Sequence, residues 1–166
     1  MVVGGEVVVA EWSLPPRASM YTALLATHNI VRWLVLAVGA YAVFRVWRGW
    51  LSRAIWTDAD AGAVKLFVNA LSLQFVVGIL LYAVSPLIRS ALGDMAATMK
   101  NAPVRYFAVE HVTVMLLAIA LAHIGAARVR KAASDSARFQ AATIFLGFAL
   151  AAVAGFTPWG RPLMPF

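Results

Sequence analysis

The stretch "RYFAVEHVTVMLLAIALAHIGAAR", residues 105–128, is almost unbroken apolar sequence, interrupted by Glu110 and His111 near one end and His123 near the other. It is long enough to cross a hydrocarbon core as a helix, which takes about 20 predominantly apolar residues. The same pattern recurs. Segments at about 21–47, 65–88, 104–127 and 139–159 all qualify, and none shows the period-two alternation of a membrane barrel strand. The 166 residues are 63% hydrophobic and only 13% charged, too little polar surface for a water-soluble globule of this length. The expected fold is therefore all-α: an integral-membrane bundle of four transmembrane helices over residues 20–166, preceded by an extra-membranous arm at 1–19. That arm has no basic start, long apolar run or small-residue cleavage site, so it does not read as a signal peptide, and Pro15-Pro16 is expected to keep it from extending the first helix.

Basic residues set the orientation. Arg45, Arg48, Arg53 and Lys65 follow the first span and Arg128, Arg130, Lys131 and Arg138 the third, against Arg17, Arg89, Lys100, Arg105 and Arg161 on the other side. The positive-inside rule then puts the first and third connectors in the cytoplasm and both termini outside. Anchoring of this kind absorbs most of the net charge of +7, so nucleic acid is not implied. Trp47, Trp50, Trp56 and Trp159 suit the interfacial belts.

With that orientation, the polar residues inside the spans can be placed by depth. His28 and His111 each lie about seven residues in from the outer side, and Tyr82 returns to the same level on the second span, with Gly78 and Gln74 continuing its stripe. Arg32 is one turn deeper than His28. Arg32 and Glu110 are intramembrane charges of opposite sign and are expected to pair, since an isolated ion costs several kcal/mol in lipid. One reading of this cluster is a structural hydrogen-bonded network of Arg32, Glu110, His28, Gln74, Tyr82 and His111. The sharper one makes His28 and His111 the axial ligands of a haem held between facing helices. His123 lies about 18 Å further along its helix and is rotated by about 120°, so it cannot reach the same iron. It reads as a helix contact or a proton-accessible residue near the cytoplasmic face.

The absence of cysteine excludes thiolate clusters, disulfides and covalent haem attachment. No phosphate-binding glycine motif occurs. Zinc would need a third ligand, and Glu110, adjacent to His111, points about 100° away on a helix.

Taken together, "HNIVRW" (28–33), "LQFVVGILLYAVSP" (73–86), "MKNAPVRYFAVEH" (99–111) and "HIGAARVRK" (123–131) resemble the small four-helix bacterial integral membrane proteins labelled cytochrome b-like, over about residues 20–159. The resemblance implies a non-covalent haem b and electron transfer at the membrane. It touches His28, Arg32, Trp33, Gln74, Tyr82, Arg105, Glu110 and His111. On the haem reading the iron has no open coordination position, so the protein carries electrons for a quinone, a neighbouring redox subunit or a larger complex, and no catalytic residue is expected. Arg105 is expected to meet haem propionates, and Leu92, Met95 and Met99 to line a short amphipathic lid or an ordinary interfacial connector. Two other classes stay open. One is a cofactor-free accessory subunit of a respiratory or photosynthetic complex, favoured by the small residues of "FLGFALAAVAGF" (145–156); the other is a proton-coupled carrier using Glu110 and His111, disfavoured by the lack of repeats or a broken helix.

Overall fold

The computed structural model describes residues 16–160, and side chains from residue 20. Most of the arm at 1–19, with Arg161, lies outside the described residues. Helices α1 (Pro16–Leu51), α2 (Asp58–Val84), α3 (Pro86–Gly93), α4 (Met95–Lys100), α5 (Ala102–Arg105), α6 (His111–Lys131) and α7 (Asp135–Gly155) follow in order, with a π turn (Tyr106–Glu110) joining α5 to α6 as one rod. No strand occurs among the described residues. Four helices are long and apolar enough to cross a membrane: Met20–Leu51, Asp58–Val84, Ala102–Lys131 and Asp135–Gly155. The fold is an all-helical four-helix bundle.

Local sequence sets the ends. The first helix begins at Pro16, inside the stretch assigned to the arm, because proline's fixed φ and missing N–H suit a first helical position. The second starts at Asp58, seven residues before the expected Lys65, since Thr57 and Asp60 form a capping box in which Asp60 Oδ2 accepts from Thr57 N at 2.8 Å. Asp60 is buried, and its Oδ1 lies 2.7 Å from Arg45 Nε of α1, a close ion contact at an angle outside hydrogen-bond range. The second span ends at Val84, not 88. Ser85-Pro86 breaks it and caps α3, with Ser85 Oγ accepting from Ile88 N.

The connector between α2 and α6 holds three short helices, where a short amphipathic lid or an ordinary interfacial connector was expected. Asp94 caps α4 and Asn101 caps α5, each accepting from the N–H three residues on, so Leu92, Met95 and Met99 do not share one helix. All three are exposed, whereas Ile88 and Ala91 are buried against Ala108 of the π turn.

Around the bundle, α1 packs on α2 and α7, and α6 packs on α7 and more sparsely on α2. Hence α1 and α6 stand on a diagonal. The core joins Val35, Ala42 and Val46 of α1, Phe67 and Leu71 of α2, Ala118 and Ala122 of α6, and Phe139, Ala142, Leu146 and Ala149 of α7. Lipid offers no hydrophobic gain for helix association, so close backbone approach at small residues carries much of the packing.

Gly49 is one such approach. A Cβ there would overlap the Phe139 ring, which is itself buried and held 4.8 Å from the Trp56 ring. Gly62, on an exposed face of α2, has nothing within 4 Å of an added Cβ. Gly49→Ala is therefore expected to destabilise the bundle by about 1–3 kcal/mol through overpacking. Gly62→Ala should stabilise it by up to about 1 kcal/mol through helix propensity. Unfolding in detergent checks both; a stabilised Gly49→Ala would show that Phe139 can move aside.

Candidate functional site

At the end of the bundle that carries the short helices, the rings of His28 on α1 and His111 on α6 lie edge to face, with centroids 6.4 Å apart and planes at 73°. Both line a cavity bounded also by Arg32, Gln74, Gly78 and Tyr82. The cavity runs along the α2–α6 side, where helix packing is sparsest.

Each histidine is placed by identifiable contacts. His111 Nδ1 lies 2.9 Å from the carbonyl oxygen of Phe156, at the C-terminal cap of α7. A carbonyl only accepts, so Nδ1 carries the proton and Nε2 keeps its lone pair. Tyr106 Oη donates to the same carbonyl at 2.7 Å, five residues before His111. The π turn is what brings both side chains to one acceptor, because its wider i→i+5 ladder, with His111 N bonded to Tyr106 O, turns residues five apart toward one side. Tyr82 Oη donates at 2.9 Å to Ala108 O within that turn. His28 lies against α2 at Gly78, where a Cβ would come within 3.1 Å of its Cε1. Gln74 Nε2 donates to the His28 carbonyl at 2.9 Å.

The expected Arg32–Glu110 pair does not form. Glu110 Oε1 accepts instead from Arg105 Nε at 2.6 Å, and Arg105 Nη1 donates to Met99 O at 2.8 Å. Opposite charge and similar depth suggested that pair without fixing where Glu110 points; the π turn adds a residue to that revolution and directs Glu110 toward Arg105. Arg105 does not line the cavity. Arg32 does: it is 6% exposed, its Nε has no hydrogen-bond partner, and its guanidinium lies 5.4 Å from the Trp33 ring. Buried side-chain atoms without a partner concentrate here, since His28 Nδ1, Arg32 Nε and Gln74 Oε1 all belong to residues of this cavity.

His123 is remote from the site. Its Nε2 lies 3.1 Å from Ser72 Oγ, whose single proton goes to Val68 O at 2.8 Å, so His123 donates and ties α6 to α2. Sequence reasoning missed Tyr106 and the Phe156 carbonyl. A hint was present in "GFTPW" (155–159), where Pro158 announces the end of α7 near the depth of His111.

Can these residues hold a haem? Two imidazoles bound at about 2 Å on opposite faces of one metal ion have ring centroids about 6 Å apart. The observed spacing matches, His111 has the carbonyl-oriented tautomer usual for a metal ligand, and Gly78 leaves room for the His28 ring. The residues therefore fit. Among the described residues no group of three or more His, Cys, Asp or Glu could hold a metal by itself, so zinc lacks its ligand set while a porphyrin would bring its own four nitrogens. No protein family, curated protein or solved structure matches this chain.

Because both partners are over a third exposed, the Arg105–Glu110 pair is expected to couple by no more than about 1 kcal/mol in a double-mutant cycle with Gln at each position. The Arg32/Glu110 cycle should give zero coupling. A sizeable Arg32–Glu110 term in detergent unfolding would restore the pairing expected from sequence.

Proposed function

We propose that this protein is a b-type cytochrome-like electron carrier of a bacterial inner membrane, holding one non-covalent haem between His28 and His111 near the outer leaflet. The observation that carries this reading is the pair of imidazoles with ring centroids 6.4 Å apart on diagonal helices. When bound, a bis-imidazole haem supplies one-electron exchange and offers no coordination position to a substrate. The chain's own residues do the rest. The Phe156 carbonyl holds the His111 proton on Nδ1 and so presents Nε2 toward the cavity. Gly78 lets His28 lie against α2, and the Gln74–His28 carbonyl bond keeps the two helices in register there. The Tyr82 hydroxyl is spent on Ala108 O, which leaves its ring as apolar wall. The electron partner is a membrane quinone or a neighbouring redox subunit, with the cytochrome b-like resemblance as added support. The reading makes the chain a carrier or complex subunit more than a stand-alone enzyme.

Protein purified from a haem-replete membrane should show a Soret band and a reduced-minus-oxidised α band. His28→Ala and His111→Ala should each abolish them, and His123→Ala should leave them nearly intact. A wild-type protein without a Soret band defeats the reading and favours a cofactor-free accessory subunit.

The orientation is part of the proposal and rests on the basic connectors. Ser52 and Ser136 are both exposed, one just past α1 and the other at the start of α7. Cysteines placed there should resist a membrane-impermeant maleimide added to intact cells and react once the membrane is opened. Ready labelling from outside would invert the topology.

A further inference from the structure

We propose that Arg32, and not Arg105, is the seat of a haem propionate; this deepens the haem reading above and rests on it. The argument begins with an imbalance of charge. Arg32 lies inside a membrane-spanning helix, is 6% exposed and has an Nε without a hydrogen-bond partner. A guanidinium so placed costs several kcal/mol unless an anion or a set of acceptors compensates it. The ring of Trp33 supplies one weak contact, at 5.4 Å.

The carboxylates among the described residues are all engaged or remote. Asp60 is in ion contact with Arg45, Glu110 pairs with Arg105, Asp135 pairs with Arg138, and Asp94 caps α4. Asp58 opens α2, sixteen residues and about 24 Å along that helix from Gln74, which shares the cavity with Arg32. None of the described carboxylates compensates Arg32, and on this proposal a carboxylate of the ligand does. Arg32 follows His28 by one turn on the same helix and lines the same cavity as both histidines. A haem brings two carboxyl groups on one edge. One of them ionised satisfies Arg32 with a charge-assisted bond.

Arg105, by contrast, has its guanidinium committed to Glu110 and to the Met99 carbonyl, and stands outside the cavity.

The test compares two porphyrins in the full-length apoprotein: haem b and its dimethyl ester, which cannot ionise. Optical titration of the wild type should give about tenfold weaker binding of the ester, the loss of one charge-assisted bond. Arg32→Leu should weaken haem b about tenfold and bind the two porphyrins alike. Arg32→Lys should restore most of the preference, and Arg105→Leu should keep it in full. The midpoint potential of the haem b complex should fall in Arg32→Leu, because loss of the cation favours the ferric state. Equal wild-type affinity for the two porphyrins overturns the proposal even if Arg32→Leu fails to fold, and so does a preference lost with Arg105 and kept without Arg32. If neither porphyrin gives a bis-imidazole spectrum in the wild type, the haem reading itself has failed and this assignment falls with it.

Discussion

The interior of a bilayer hydrates nothing, so a polar group there is either satisfied by protein or left for a ligand, and the bundle is organised by that constraint. Most of its polar groups are satisfied locally. Thr27, Ser72 and Thr157 return their hydroxyl protons to carbonyls four residues back in the chain. Tyr82, Tyr106 and Gln74 reach across to carbonyls of other segments and fasten them together. Among the described residues, much of what these bonds leave over lies around His28, Arg32 and Gln74, in a cavity lined by α1, α2 and α6, with α2 and α6 only sparsely packed on each other. A defect in packing and a surplus of unfilled polar atoms coincide, which is what a binding site in a membrane bundle requires.

The four spans were legible because they rest on apolar runs and on nothing subtler. Span ends were less so. An apolar count does not register that Thr57 and Asp60 start α2 well before its hydrophobic stretch, nor that Ser85-Pro86 stops it early. The matched depth of His28 and His111 was legible too, since it needs only the rise per residue and the direction of each span. Side-chain direction was not. Opposite charge alone paired that carboxylate with Arg32, whereas a π turn of five residues directs it to Arg105. No residue type in "YFAVE" (106–110) marks a π turn; it follows from how the rod docks on α3 and α7.

That turn does more than redirect Glu110. A bulge costs helix hydrogen bonding, and such features persist where surrounding contacts support them. Here the Tyr82 hydroxyl bonds Ala108 O within it, Tyr106 at its start bonds the end of α7, and Ile88 and Ala91 of α3 pack against Ala108. Four segments of chain thus meet at the turn that immediately precedes His111. Of the short helices, α3 braces this turn through Ile88 and Ala91, while Leu92, Met95 and Met99 are exposed.

The diagonal placement of the two histidines has its own logic. Adjacent helices in a bundle lie about 8–10 Å apart and pack their shared faces, so two imidazoles between them would displace core side chains on both. Across the diagonal there is room for something between the rings, provided the other two helices stand back. They do so in different ways. On α2, Gly78 presents no side chain to His28; on α7, the helix ends at Gly155, and what it offers at this level is the Phe156 carbonyl. Small residue and helix terminus are each a way to remove bulk from one side of the space between the histidines while keeping a backbone in place to orient them. The same economy accounts for the rest of the bundle being filled: below this level the core is closed by Phe67, Phe139 and Leu146, all fully buried, and His123 finds only Ser72 to bond.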